Sequence, residues 1–276
     1  MSSQLRIFSR QLAAILPELG SDRLPSLLLS MIKSLVPFSN AVILHYIKGE
    51  VPRVHYNDIP PLERESQIGA FVTGAFLLDP FYRAAVDNKK SGLFRLSDLA
   101  PEGFEKTEYY RSYFKYTQIK DEAGYIFHLP GDQFLNISLS RLAFSKRFDR
   151  TQMAILADIT EVMESICIAQ WGGEVKKLQA ESGNQLPVQL DNALKHFGTA
   201  YLTERESQVV HLFLHGHSTK SIAERLGISP ETVKLHRKNS YAKLDVSSQA
   251  ELFYLFIDSL ASLSNYSGGD PLVGYL

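Results

Sequence analysis

The chain is 276 residues long, 45% hydrophobic and close to neutral, with a formal net charge of −1. That length and apolar content suit two domains with real cores. The charge balance excludes a polycation, so any affinity for nucleic acid must come from a local basic patch and from pairing two copies. The single cysteine, Cys167, excludes an intramolecular disulfide framework and fits a reducing cytoplasm. Lying between Ile166 and Ile168, it reads as an inert core thiol. No apolar run is long enough to span a bilayer and no signal peptide is expected, so a cytoplasmic protein without membrane contact is anticipated.

Leu5, Phe8, Leu12 and Ile15 fall in helical register, and a second amphipathic helix runs from Asp22 to Leu35. The period then changes. Ala41–Ile47 and Val51–Tyr56 read as a hairpin around Lys48-Gly49-Glu50, and Pro60-Pro61 precedes a helical stretch ending near Leu77. Asp79 and Pro80 have the N-cap and N1 chemistry of another helix, ended by Ser91-Gly92; Leu93–Leu96 is a short strand and Ser97 or Asp98 opens a loop. Glu105–Tyr116 is expected to be a helix crowded with tyrosines. Glu122–Leu129 and Gln133–Ser140 pair through Pro130-Gly131-Asp132, the strongest hairpin signal in the chain. Asp149 to Ala180 is expected as one long helix, a candidate dimer strut. This order predicts an α+β domain over residues 1–180, a central antiparallel sheet flanked by helices as in PAS- or GAF-like sensory folds.

Residues 181–198 read as a linker, with a short helix at Leu190–Phe197. From Leu202 the punctuation is dense. Thr203 and Glu206 form a T-x-x-E capping box, so a helix starts at Glu204, with Val209, Val210, Phe213 and Leu214 on one face, and stops at Gly216. Ser218 caps a second helix with Ile222, Ala223 and Leu226 inward, and Gly227 ends it. Ser229 caps a third, with Pro230 at N1. From Thr232 to Lys243 that third helix carries Lys234, His236, Arg237, Lys238 and Lys243 and no carboxylate. Val233, Tyr241 and Leu244 should point inward, leaving Lys234, Leu235 and Lys238 for a major groove, where lysine reads guanine and leucine touches a thymine methyl. Thr232 sits where a helix N-terminus favours phosphate. An ordinary solvated basic face is the bland alternative, but the caps, turn glycine and acid-free helix coincide as in a helix-turn-helix. Ser248 and Glu251 cap a fourth helix whose Leu252, Phe253, Leu255, Phe256, Ile257 and Leu260 form either a dimer face or simple packing on the other three. The tail from 263 to 276 should be mobile.

The segment resembles the DNA-binding domain of LuxR-type transcription regulators. The resemblance rests on Leu202-Thr203-x-Arg205-Glu206, Gly216-x-Ser218, the run Ile222 to Ser229, Thr232-Val233-Lys234-x-His236 and Tyr241-x-Lys243-Leu244. It covers the C-terminal quarter and implies a four-helix all-α domain over residues 199–262. It also implies Thr232, Lys234, Leu235, His236 and Lys238 as DNA contacts. Ser207, Gln208, Arg237, Ser240, Asp245 and Gln249 depart from the family's usual residues, and Arg237 is free to reach a phosphate instead of packing. The family implies a homodimer on an inverted repeat of double-stranded DNA, with RNA polymerase as a further partner, in a bacterial cytoplasm.

A sensory domain needs an input. The aromatics Phe76, Phe81, Tyr82, Phe94, Tyr109, Tyr113, Tyr125 and Phe127, with Asp79 or Arg111 as polar anchors, either line a small-molecule pocket or build an aromatic core. An aromatic cage for an amine is the sharper version of the pocket reading. Receiver domains show an alternating parallel pattern that is missing here. Acyl-homoserine-lactone sensors share the layout and an Asp-Pro like Asp79-Pro80, but they usually present tryptophans around the lactone, and here Trp171 is the only one. An unidentified metabolite effector is expected, with a protein-partner input as the alternative. No G-x-S-x-G elbow, H-E-x-x-H or phosphate-cradling glycine loop occurs, so no enzyme activity or cofactor is expected. His211, His215 and His217 have suggestive spacing but lack a fourth ligand, and read as a solvated face rather than a metal site. His128 reads as a packed strand residue.

Overall fold

The computed structural model describes residues 3–47, 51–73, 75–173, 193–214, 217–247, 249–261, 268–273 and 275. Its N-terminal part is a five-stranded antiparallel sheet in the order β2-β1-β5-β4-β3, with β1 Asn40–Ile47, β2 Arg53–Asn57, β3 Gly92–Arg95, β4 Ile119–Leu129 and β5 Gln133–Leu142. Strand side chains alternate faces, and both faces are covered here. Leu135, Ile137 and Leu139 of β5, with Ala41 and Ile43 of β1 and Ala123, Tyr125 and Phe127 of β4, pack on one face. They meet α1 (Ser3–Ile15), α2 (Leu24–Leu35), α8 (Arg150–Asp158) and α9 (Thr160–Trp171). Each fully buried Leu, Ile or Phe there is worth roughly 1.5–3 kcal/mol. The opposite face carries Leu44, Tyr46, Ile126 and Phe134 and is covered by α4 (Ala70–Thr73), α5 (Pro80–Asn88), α6 (Leu96–Leu99) and α7 (Glu108–Ser112), while the exposed α3 (Pro61–Arg64) leads into them.

The β4–β5 hairpin closes as expected, Gly131 and Asp132 both taking positive φ, at 91° and 52°. Asp79 caps α5 by accepting from the amides of Phe81 and Tyr82 at 2.9 and 3.0 Å. Several expectations need correcting. The stretch before Leu78 is broken into α3, a π turn at Glu65–Gly69, α4 and a 3₁₀ turn at Ala75–Leu78. Leu96–Leu99 is helical where a loop was expected. Glu105–Tyr116 is not one helix, because Thr107 caps a fresh turn by accepting from Tyr110 N, and Tyr113 leaves helical geometry at φ −126°. The helix from Asp149 breaks at Ile159 into α8 and α9; its expected end, residues 174–180, lies outside the described residues, as do the Lys48-Gly49-Glu50 turn and Gly216.

The C-terminal part is all helical: α10 (Glu204–Leu214), α11 (Thr219–Leu226), α12 (Pro230–Lys243) and α13 (Gln249–Ala261). Val209, Phe213, Ile222, Ala223 and Val233 form its own small core, whereas Val210, Leu214, Leu244, Leu252 and Phe256 join the large cluster reaching the sheet domain. The α13 helix packs against α4 and α7. Its first turn is held by Glu251, which accepts from both Ser247 N and Ser247 Oγ; Ser248 lies outside the described residues. Of the tail expected to be mobile, residues 263–267, 274 and 276 lie outside the described residues, and the described part is tied down. Asp270 accepts from Gly198 N and Ala200 N at 2.9 and 2.7 Å, and Leu272 is fully buried.

Candidate nucleic-acid interface and sensory cavity

Local chemistry places the recognition helix. Thr203 and Glu206 form the reciprocal capping box of α10, with Thr203 N donating to Glu206 Oε2 at 2.8 Å. Ser218 caps α11 by accepting from Ser221 N. Gly227 takes φ 64° at the end of α11, where a Cβ would be strained, and Ser229 accepts from Thr232 N at 3.1 Å to start α12. Val233 and Ser240 are fully buried, the latter donating from Oγ to the His236 carbonyl at 2.8 Å, which is how a serine replaces an apolar residue there. The opposite side bares Lys234, Lys238 and Leu235, whose side chain is 56% exposed. Lys234, Arg237 and Lys238 share a shallow groove with Tyr241 and Val246, and no carboxylate lines it.

The remaining expected contact residues are placed differently. Thr232 and His236 are half-buried, and Thr232 Oγ1 lies 2.9 Å from Ser229 Oγ. The Arg237 guanidinium stacks over the Phe213 ring at 5.3 Å, so it packs and faces the groove at once. Lys243, itself exposed, is engaged with the bundle, its Nζ 2.6 Å from Oε2 of buried Glu206. Burial raises the Glu206 pKa, but the Lys243 hydrogen bond and those of Thr203 outweigh it and hold the carboxyl below its usual range. His211 is half-buried and its Nε2 reaches the Phe197 carbonyl at 3.3 Å, so it is not on a solvated face. His215 lies outside the described residues, and among those described no three metal-ligating side chains cluster.

A second site lies between the sheet and α4–α7. A cavity of about 70 Å³ is lined by Leu44, Phe71, Tyr109, Tyr113 and Phe114 and by a polar row of Glu122, Asn136, Ser138 and Ser140, with Asp79 and Gln67 closing it. Asp79 Oδ2 accepts from Tyr109 Oη at 3.3 Å, and Tyr113 Oη donates to the Gln67 carbonyl at 2.7 Å. Ser138 Oγ donates to Glu122 Oε1. Burial, with the charge of Asp79 added, pushes Glu122 up to about 8, against the Ser138 bond. Burial pushes Asp79 up to about 6, against its bonds from Tyr82, Phe81 and Tyr109.

Of the residues singled out from sequence, Asp79, Tyr109 and Tyr113 line this cavity. Phe76 and Tyr82 pack beside it around Tyr46, and Phe81 sits beneath Gly124. Phe94 is packed against the same cluster. Tyr125 and Phe127 belong to the other face of the sheet, where Tyr125 Oη donates to the Leu156 carbonyl; strand alternation turns them away. Arg111 is exposed. His128 donates from Nε2 to the Lys90 carbonyl as a packed strand residue. Sequence reading missed Glu122, Asn136, Ser138 and Ser140. For Asn136, Ser138 and Ser140 the signal was a polar residue at every second position of β5, alternating with the apolar Leu135, Ile137 and Leu139.

A capped, glycine-turned helix pair presenting a bare cationic helix defines a helix-turn-helix DNA-binding protein, here joined to a sheet domain with a polar-floored cavity. Residues 200–256 match the profile described as bacterial regulatory proteins, luxR family. The HTH-type transcriptional regulator of the exeN 3′ region of Aeromonas salmonicida is 34% identical over 187 residues, covering 66% of this chain and 94% of that protein. The transcriptional regulatory protein UhpA of Salmonella typhimurium is 46% identical over 57 residues, 21% of this chain and 29% of its own. The crystal structure of the VqsR LBD domain from Pseudomonas aeruginosa superposes with a TM-score of 0.50 at 26% identity, covering 59% of this chain and 94% of that one. The chain belongs to the LuxR family of bacterial regulatory proteins and is a DNA-binding transcription regulator. No described helix is long and apolar enough to cross a membrane.

Proposed function

We propose that residues 1–180 sense a small molecule in the cavity between sheet and helices and that this signal sets the DNA binding of residues 199–262 through the linker at 181–198. The observation that carries this reading is the polar row Glu122, Asn136, Ser138 and Ser140 facing a cavity, in a place where a plain core would be apolar. The likeness to the VqsR LBD domain supports it. So does the position of α13, which packs on α4 and α7, the helices that contribute Phe71 and Tyr109 to the cavity wall. A ligand that changes the wall shifts the population of arrangements the reader can adopt.

In this reading the regulator acts in the cytoplasm as a homodimer. Two α12 helices spaced roughly one DNA turn, about 34 Å, read an inverted repeat. Thr232, Lys234, Leu235, His236, Arg237 and Lys238 face the DNA, with lysines on guanine edges and Arg237 on a phosphate. Native mass spectrometry of the full-length protein tests the proposal. A dimer carrying a defined extra mass is expected. A mass-clean species that gains no ligand from a bacterial metabolite extract, but does capture a protein partner, would replace sensing with partner control.

A further inference from the structure

The sensory reading leaves the chemical class of the ligand open, and the lining of the cavity narrows it. Two carboxyl groups reach it, Glu122 from β4 and Asp79 from the start of α5, and no Lys, Arg or His lines it. Both are buried, at 7% and 8% exposure. Asp79 is largely accounted for: it caps α5 through one oxygen and receives the Tyr109 hydroxyl on the other. Glu122 is not. Among the described residues Ser138 is its hydrogen-bond partner, whereas an ionised carboxylate accepts up to about four. A buried charge so poorly compensated is costly, so the Glu122 carboxyl keeps its proton until a cation arrives to compensate the ionised form.

A second observation points the same way. The Tyr46 hydroxyl is buried and, among the described residues, has no hydrogen-bond partner. Tyr46 is not itself a lining residue, but it follows the lining residue Leu44 by two positions on β1, hence on the same face, and its hydroxyl feels the charges of Asp79 and Glu122. The rings of Phe71, Tyr109, Tyr113 and Phe114 complete the wall, and aromatic faces attract cations. An anion would meet two carboxyls and no basic side chain in the lining.

We propose that the cavity takes a small organic cation, an ammonium head on a short carbon stem, with Glu122 as its charge partner and Asp79 and the Tyr46 hydroxyl as further hydrogen-bonding groups. The proposal rests on the sensory reading above. The size of the cavity, about 70 Å³, limits the stem to a few carbons unless the wall helices move.

The test is thermal unfolding of the full chain with n-propylammonium chloride, n-propanol and sodium propionate, at equal concentration and ionic strength. Only the ammonium should raise Tm, and Glu122→Gln should weaken its apparent affinity on the order of tenfold or more, as expected for loss of a buried charge partner. If propanol or propionate stabilises as well as the ammonium, or if Glu122→Gln keeps the full ammonium effect, the cation assignment is overturned while sensing stands. If none of the three shifts Tm, the cation assignment falls; a ligand mass retained in native mass spectrometry would then preserve sensing, and its absence would remove both. Should Glu122→Gln fail to fold, the three-probe comparison in the unmodified chain decides alone.

Discussion

Lys238 and Glu122 show how differently two residues announce themselves. Lys238 lies on an exposed helical face whose caps are set by neighbours three residues apart, so its direction follows from local spacing. Lys238→Ala should weaken specific DNA binding by roughly 1–3 kcal/mol, read by fluorescence anisotropy; unchanged affinity and sequence preference would remove it from the base contacts. Lys243 sits on the same helix, yet its partner Glu206 is 37 residues away and no local rule reveals it. Glu122 became visible only once β4 paired with β5 in the register that sets it opposite Ser140 and beside Ser138.

The buried acids also fix a pH dependence. Asp79 and Glu122 titrate higher folded than unfolded, at about 6 and about 8, so the folded state holds extra protons between the ordinary carboxyl range and those values. Their contribution is complete below the ordinary carboxyl range and is lost as pH rises, by about 6 for Asp79 and about 8 for Glu122, each at no more than about 1.4 kcal/mol per pH unit. The groups facing Glu122 are Ser138, Asp79 and Asp121, all without positive charge, and Asp121 is already paired with Arg95. Glu206 has the opposite sign, its stabilisation fading on acidification below the usual carboxyl range. Urea unfolding between pH 5.5 and 8.5 should therefore show stability falling toward the alkaline end. A flat profile would show that these acids do not gain protons on folding.

At the level of elements, hairpins and capped helices were legible because their signals are short-range. The β4–β5 turn and the three helix starts at Glu204, Thr219 and Pro230 follow directly from turn and cap chemistry. The tyrosine-rich segment was not. Its composition permits a continuous helix, but packing against the sheet breaks it at Thr107 and Tyr113, and the break brings Tyr109 and Tyr113 to the cavity. The α8–α9 break at Ile159 is of the same kind, with a buried side chain at the junction. Gly124 records how closely α5 approaches β4: a Cβ there would stand 2.9 Å from Phe81 and 3.0 Å from the Ile137 carbonyl. Gly124→Ala should cost about 1–3 kcal/mol in denaturant unfolding by overpacking. A neutral substitution would mean that Phe81 gives way.

Over the whole molecule, near-zero net charge coexists with a cationic groove of Lys234, Arg237 and Lys238. Binding driven by that groove should weaken steeply with salt, log K falling against log salt with a slope of about −0.9 per phosphate engaged. A flat response would remove phosphate contacts as the source of affinity. The length of the chain suggests two domains, but nothing in the sequence suggests that α13 would lie against the wall helices of the sheet part.

Asp270 bears on how such regulators are recombined. It lies beyond the last helix of the DNA reader, yet it grips Gly198 and Ala200 at the reader's entrance while Leu272 is buried beneath. A chimera that borrows the reader by cutting after Ala261 would leave behind the latch on its own doorway. Grafts that keep the segment through 275 would transplant the reader together with the angle at which its chain enters.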